Sequence, residues 1–422
     1  MKATSVSLIT LFLIGLALNL QAQFNIPGVI QKKTTDHVNQ KIDQGVDKGL
    51  KAAEDQATGK NKTDQGNTGK TESKKTGTDD SGSKGPQDQP TMQSYSKYDF
   101  TPGEKVIFYD DFTEAAVGDF PASWNTNATG EVVTTNLFPG NWFKMTGKGS
   151  IALDEGINLP DNYTIEFDVI PHPSGKDFEN FNFGFYIYSA ANPKDLNEGG
   201  AVPGKVGIKM EFGSRGSYSA YNESGYTMEG YAEEAAMKAD MKYRLSFWIQ
   251  KTRLRVYMDQ VKIFDLPKVM TPGHQYNMMR FELWDAGAPM ITNLRVATGL
   301  PDMRNKLLTE GKLVSYGIYF DVNKDVVKPE SYGTLKGIAD VLKENPDVHI
   351  KIVGYTDGDG NAAANLDLSK RRGASVKNEL VKVFNIDASR LESDGMGATK
   401  PVAPNDTPVN KALNRRVEFI KL

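Results

Sequence analysis

The segment GYTDGDGNAAANLDLSKRRGASV, residues 354–376, decides how the C-terminal third of the chain is read. It closes an apolar run, VHIKIVGYT (348–356), whose composition suits a strand. A glycine-rich acidic turn follows, and then a helix carrying Lys370, Arg371 and Arg372 in succession. Asp357 stands where the strand ends. Asn365 and Arg372 are seven residues apart, close to two turns, so they share a face of that helix. Leu366, Gly373, Leu380 and Phe384 form the stripe expected to be buried, with Asn365 and Arg372 at its flank. Arg372 therefore reaches the rim where Asp357 sits. An acid and a guanidinium on one cleft suit a ligand group bearing both an ammonium and a carboxylate. On chemistry alone a direct ion pair between the two on a wet surface is the plainer reading, and the residues leave both open.

Metal and phosphate loops fit less well. DVNKD (321–325) imitates the start of a calcium loop, but its sixth and twelfth positions are Val326 and Tyr332 instead of Gly and Glu. DGDGN (357–361) fails the same test at Ala362 and Leu368. No Gly-Lys-Ser/Thr follows the glycines, which excludes a phosphate loop. No metal and no cofactor is expected.

Around this segment, LVSYGIYF (313–320) reads as a strand and PESYGTLKGIADVLKEN (329–345) as a helix begun by Pro329 and stopped before Pro346. LESDGMG and RRVEFIKL read as further short strands. The order strand, helix, strand, helix, strand, strand gives an α/β sandwich with helices on one face of a small sheet.

Residues 313–422 resemble the OmpA-like peptidoglycan-binding domain. The resemblance lies in IYFDVNKDVVKPES, in the opening segment with its T-D and N-x-x-L-S-x-x-R elements, in RLESDGMGATKPVAPNDT and in ALNRRVEF. It implies a domain that binds the diaminopimelate residue of the cell-wall stem peptide without cutting it. The family's contact residues fall on Asp357, Asn365, Arg372 and Arg415. Neighbouring strand residues point to opposite faces, so Arg415 and Arg416 should not both enter the cleft. Two departures are Gly373, where the family usually has Ala, and Asn410-Lys411, where it has Gly-Arg. Gly373 is expected to loosen the helix slightly.

Upstream the texture changes. YTIEFDVI, FNFGFYIYS, KVGIKMEF, YRLSFWIQ, LRVYMDQVKIFDL and MMRFELW alternate with period two between turn clusters, which points to an antiparallel β-sandwich. A short helix at EEAAMKADM (233–241) is the one interruption. VIFYDDF, NYTIEFDV, LRVYMDQVKIFDL and ITNLRVA resemble the concanavalin A-like (laminin G-like) jelly-roll family, which implies a glycan ligand or, in some members, glycosidase activity. Glu166 and Asp168 share one strand face with Cα atoms roughly 7 Å apart, a spacing compatible with a glycosidase pair. Retaining members resemble E-x-D-x-x-E, and Pro171 occupies the last position here, so the plain reading is a polar outer strand face. Trp124, Trp142 and Trp284 lie near turns, where an indole can stack on a sugar; Trp248 lies in an apolar run and is expected in the core.

The N-terminal segment differs again. Lys2, an apolar core over residues 6–18 and Ala22 read as a signal peptide cleaved after residue 22. Val38, Ile42, Val46 and Leu50 mark a narrow helical stripe weakened by Gly45 and Gly49, and residues 58–94 hold almost no apolar side chain, the composition of a flexible spacer. The organisation expected is a signal peptide over 1–22, a short helix and linker over 23–95, a sandwich over 96–300 and an OmpA-like domain over 301–422. Four dispersed histidines form no local metal pair, and a net charge of −3 gives no footprint for nucleic acid. The absence of cysteine excludes disulfides, thiolate catalysis and a lipid-bearing Cys. The function expected is a non-enzymatic, exported cell-wall-binding protein of the periplasm or outer membrane. Its partners are peptidoglycan and, through the sandwich, a glycan or an envelope protein, unless the sandwich has a structural role alone. The alternative is a jelly-roll glycan-cleaving enzyme tethered to the wall.

Overall fold

The computed structural model describes residues 98–172, 182–196, 202–284, 287–300 and 302–422; the expectations for residues 1–95 fall outside them. Fifteen described strands make two antiparallel sheets. The first runs β13 (Val261–Leu266), β12 (Arg253–Met258), β11 (Tyr243–Gln250), β6 (Asn162–Ile170), β15 (Met290–Thr298), β4 (Asn141–Thr146), β3 (Thr129–Thr134), with β1 (Lys105–Asp110) on the free half of β15. The second runs β10 (Gly225–Ala232), β9 (Gly216–Asn222), β8 (Val206–Gly213), β7 (Asn182–Ser189), β14 (Met278–Leu283), β5 (Gly149–Leu153), β2 (Trp124–Thr126).

Alternation decides which side chains meet between the sheets. In β6, Tyr163, Ile165, Phe167 and Val169 point inward. Phe167 meets Phe185 of β7 at 5.1 Å between ring centroids, and Phe185 meets Phe247 of β11 at 5.0 Å. Such tilted aromatic contacts join the two sheets through one core. The helix expected at residues 233–241 is only a 3-10 turn, Glu233–Ala235.

The C-terminal part contains α1 (Met303–Leu308), β16 (Lys312–Ser315), α2 (Tyr332–Glu344), β17 (Ile350–Tyr355), α3 (Ala362–Lys382), β18 (Leu391–Gly397), α4 (Pro408–Asn414) and β19 (Val417–Lys421). Its sheet order is β16-β19-β17-β18, with β17 and β18 parallel and the other pairs antiparallel. Leu335, Ile338 and Leu342 of α2 and Val376 and Leu380 of α3 cover it. The stripe of α3 is Leu368, Ser369, Gly373, Val376 and Leu380, with Leu366 only half-buried, so it lies slightly around the helix from the expected line. Helix α4 was not expected. Its signal is nonetheless local, since Thr407 caps it by accepting from Asn410 N and Pro408 occupies its first turn.

Gly373 has a different role from the one expected. A Cβ there would lie 2.4 Å from the Asp394 carbonyl oxygen, and one at Gly395 would lie 2.2 Å from Lys370 N. The glycines let α3 settle backbone to backbone on β18. That close seat fixes the height of Arg372 above the sheet edge.

The outer face of β6 is not solvated. Thr164, Glu166 and Asp168 are 1%, 0% and 3% exposed. Arg244 of β11 spans both acids, at 3.0 Å from Glu166 Oε2 and 3.2 Å from Asp168 Oδ1. Arg295 of β15 takes Glu166 Oε1 at 2.9 Å and donates to the Gly103 carbonyl at 2.6 Å. A bulge in β15, with Asn293 at φ 54°, lets Asn293 Nδ2 donate to Asp168 Oδ2 at 2.9 Å. The C-terminal part closes over this network. Tyr319 OH donates to Glu166 Oε2 at 2.5 Å, the Arg244 guanidinium lies over the Tyr319 ring, and Lys328 is raised in pKa by Asp168 and Glu330 against the pull of its own burial. Residues 98–104 form a strap in the same seam. Phe100 is 1% exposed and meets Trp248 edge-on, so Trp248 sits under the strap on the outer face of the sheet and not in the core.

Burial pushes the Asp168 carboxyl up, but Lys328, Arg244, Lys242 and the Asn293 amide outweigh it and hold the group below the ordinary carboxylate range. A depressed folded pKa adds stability that is whole above the unfolded value of about 3.9 and is lost as pH falls through the folded one. Asp168→Asn is therefore expected to cost about 3 kcal/mol at neutral pH and to flatten the acid limb of the stability profile. Denaturant titrations between about pH 3 and 7 check both.

Candidate ligand-binding cleft

The cleft is built where β17 ends. Asp357 follows Tyr355 and Thr356, and its Oδ1 accepts from Asp359 N at 3.2 Å, an Asx-type turn. Asn361 then caps α3, accepting from Ala363 N and Ala364 N at 2.9 and 3.2 Å. Asn365 spends its amide N–H on the turn, donating to the Asp359 carbonyl at 2.8 Å.

Arg372 leaves α3 over the ring of Phe320, 4.7 Å from its centre. Its Nε donates to the Lys324 carbonyl at 2.9 Å and its Nη2 to the Asp321 carbonyl at 3.2 Å. The DVNKD loop thus serves as a backbone cradle for a guanidinium. Burial above all, with Arg415, lowers the Arg372 pKa, Asp357 raises it, and the balance leaves it at about 10. Arg372 stays charged at neutral pH, and the other two groups share its field. The five N–H groups of a guanidinium leave donors over for a ligand.

Arg415 is the C-cap of α4, just ahead of β19. Its Nη1 pairs with Asp357 Oδ2 at 2.7 Å. Burial pulls its pKa down, and Tyr109, Asp111 and Asp357 raise it by more. Arg416 points the other way, 3.7 Å from the Tyr355 ring centre and bonded through Nε to Glu418 Oε1 at 2.9 Å. The structure thus gathers Asp357, Asn365, Arg372 and Arg415 at one rim and sends Arg416 inward.

Several supports escaped sequence reasoning. Asn414 is fully buried; its Oδ1 accepts from Val402 N and Ala403 N, and its Nδ2 donates to Ala403 O and Asn405 Oδ1. Asn405 Oδ1 in turn accepts from Gly358 N at 2.9 Å, next to Asp357. Their signal was slight: Asn405 follows Pro404 in a proline-containing loop, and Asn414 opens the N-R-R-V-E element. Tyr109 and Asp111 had no such signal, because they come from the sandwich.

The tryptophans separate. Trp124 and Trp142 are 4% and 1% exposed, and their indole N–H groups donate to Asp110 Oδ2 and the Phe138 carbonyl. Neither ring has a face left for a sugar. Trp284 is half-buried on the outer face of the second sheet, over Gly184, with the Lys209 ammonium 4.9 Å from its ring centre. Glu166 and Asp168 are held by arginines in the seam and shut off from the surface. Among the described residues no group of three or more His, Cys, Asp or Glu is arranged to hold a metal ion, and no helix is long and apolar enough to cross a membrane.

Residues 319–415 match the OmpA family. Over 105 residues the chain is 43% identical to outer membrane porin F of Pseudomonas fluorescens, covering 25% of this chain and 32% of that one. Over 92 residues it is 38% identical to peptidoglycan-binding protein ArfA of Mycobacterium tuberculosis, covering 22% and 28%. The crystal structure of the peptidoglycan-associated lipoprotein from Burkholderia pseudomallei is 28% identical, covers 29% of this chain and 100% of its own, and gives a TM-score of 0.25. The chain spans about a third of the length of these two curated relatives.

Asn414 is expected to be the hinge pin of the loop below Asp357. Asn414→Ala should cost about 2 kcal/mol by leaving buried backbone groups unpaired. Amide exchange at Val402 and Ala403 should quicken more than exchange in β17.

Proposed function

With residues 319–415 an OmpA-family domain, we propose that the chain is a non-enzymatic cell-wall-binding protein that grips the diaminopimelate of the peptidoglycan stem peptide. The observation that carries this reading is the convergence of Asp357, Arg372 and Arg415 on one rim, with Arg372 oriented by backbone carbonyls and not by an acid of its own. Asp357 takes the ligand's ammonium. Arg372 takes its carboxylate through paired hydrogen bonds. Asn365 and Arg415 hold the turn and the acid in place. In this reading residues 1–22 direct export to the periplasm, residues 23–95 give reach, and the protein works at the outer membrane.

Lysine-type stem peptide lacks the carboxylate that Arg372 would hold. A site left with an unpaired, half-buried donor discriminates, by about 2 kcal/mol here, or about tenfold to a hundredfold. The full chain should therefore sediment with diaminopimelate-type peptidoglycan and prefer diaminopimelate stem peptide to the lysine form. Arg372→Ala and Asp357→Ala should each abolish most of the binding while leaving the far-ultraviolet circular dichroism unchanged. Equal affinity for both peptides would remove Arg372 from its role.

The sandwich, a concanavalin A-like jelly roll in this reading, carries a second surface for a glycan. Trp284, Lys209, Glu211 and Glu282 share the outer face of the second sheet, an indole beside polar groups as sugar recognition requires. The burial of Glu166 and Asp168 in ion pairs counts against the hydrolase alternative. Affinity electrophoresis through a panel of polysaccharides tests the surface: a retarded parent and an unretarded Trp284→Ala support it, and equal mobility removes it.

A further inference from the structure

Arg415 is held between two carboxylates from different parts of the chain. Asp357 takes Nη1 at 2.7 Å, and Asp111, just past the end of β1, stands 3.6 Å from Nη2. Nη2 is buried and makes no hydrogen bond. The guanidinium lies over Tyr109, 5.0 Å from the ring centre, and Tyr109 OH donates to Asn293 Oδ1, which ties this wall to the Asp168 network. Asp111 is itself oriented: its Oδ1 accepts from Thr113 N at 3.3 Å and Thr113 Oγ at 2.7 Å, and its Oδ2 faces Arg415. Strand β1 packs against α4, the helix that Arg415 caps, so the sandwich supplies one wall of the cleft.

The geometry points to Asp111 as a specificity-determining residue of the cleft, a positioning carboxylate lent by the sandwich to the OmpA-family domain. This rests on the cell-wall reading. Asp357, Arg372 and Arg415 alone carry one net positive charge, and Asp111 brings the group to neutrality. The nearby Asp359 and Lys411 cancel each other in a 3.0 Å pair. A ligand end that is itself zwitterionic adds no net charge, so a neutral cleft accepts it without stranding a cation. Asp111 also acts on Asp357. Arg415 competes with the ligand's ammonium for that carboxylate, which has about four lone-pair positions to share. A second anion on the far side of Arg415 draws the guanidinium toward itself and turns Asp357 toward the ligand.

The test uses the full chain, Asp111→Asn and Asp111→Glu, titrated with diaminopimelate stem peptide and with the same peptide acetylated on its free side-chain amine. Asparagine keeps the shape and the bonds from Thr113 while removing the charge. Asp111→Asn should bind the free-amine peptide about tenfold more weakly, in the range of coupling between close charges. Its discrimination against the acetylated form should fall by about the same factor, because the ammonium contact is what weakens. Asp111→Glu should restore part of the discrimination. A merely structural loss would lower both affinities alike. Unchanged affinity in Asp111→Asn, or an equal loss for both peptides, would overturn the inference and leave the cell-wall reading standing. A parent chain that binds neither peptide would overturn that reading and this inference together.

Discussion

The ion network on the outer face of β6 is the constraint on which the rest of the structure depends. Glu166 and Asp168 are two carboxylates on one strand face, shut away from water, and Arg244 and Arg295 hold them there. Such a network contributes little net stability, because desolvation offsets most of its Coulomb energy. Its value lies in being intolerant of partial disassembly. Removing one partner strands a buried charge, and sliding the C-terminal part would uncover several. The seam therefore has one registry, and Tyr319, Lys328 and Phe100 are set by it.

That registry reaches the cleft. Asn293 bonds to Asp168 on one side and to Tyr109 on the other, and Tyr109 lies under Arg415. The wall beside the OmpA-family domain is thus a continuation of the seam and not a loose neighbour. The cleft's own part is equally over-determined. Phe320 and two carbonyls of the DVNKD loop fix Arg372, the Asp359 amide and Arg415 fix Asp357, and Asn414 and Asn405 fix the loop beneath it. Preorganised groups of this kind spare a ligand the cost of ordering them.

Close backbone packing complements the charges. Glycines at 354, 373 and 395 let α3 rest directly on β17 and β18, where a Cβ would meet main-chain atoms at 2.2–2.4 Å. Sequence reasoning treats Gly373 as a flaw in helix propensity. The fold uses it as a spacer of zero thickness, which sets where the far end of Arg372 arrives.

Much of this was legible in the sequence, for a physical reason. Strand and helix periodicity and turn glycines act over a few residues, so the two sheets, α2, α3 and the cluster of Asp357, Asn365 and Arg372 follow from local pattern. The opposite pointing of Arg415 and Arg416 was expected from strand alternation and is found, but its cause differs: Arg415 caps α4 and both residues precede β19. What alternation cannot tell is what covers a polar face. Glu166 and Asp168 read as a polar outer strand face, and Trp248 as a core residue, until a second body is laid on them. Trp124 and Trp142 sit near turns in sequence and are buried in space, Trp124 in the core between the sheets and Trp142 in a separate cluster with Ile170 and Met290, and the DVNKD loop offers carbonyls to a cation that is a guanidinium. Asp111 meets Arg415 across more than three hundred residues. The sequence by itself determined the elements and the chemistry carried on each. Only the tertiary structure decided which charges share a cleft, because Coulomb energy and burial depend on distance in space, and separation along the chain does not encode it.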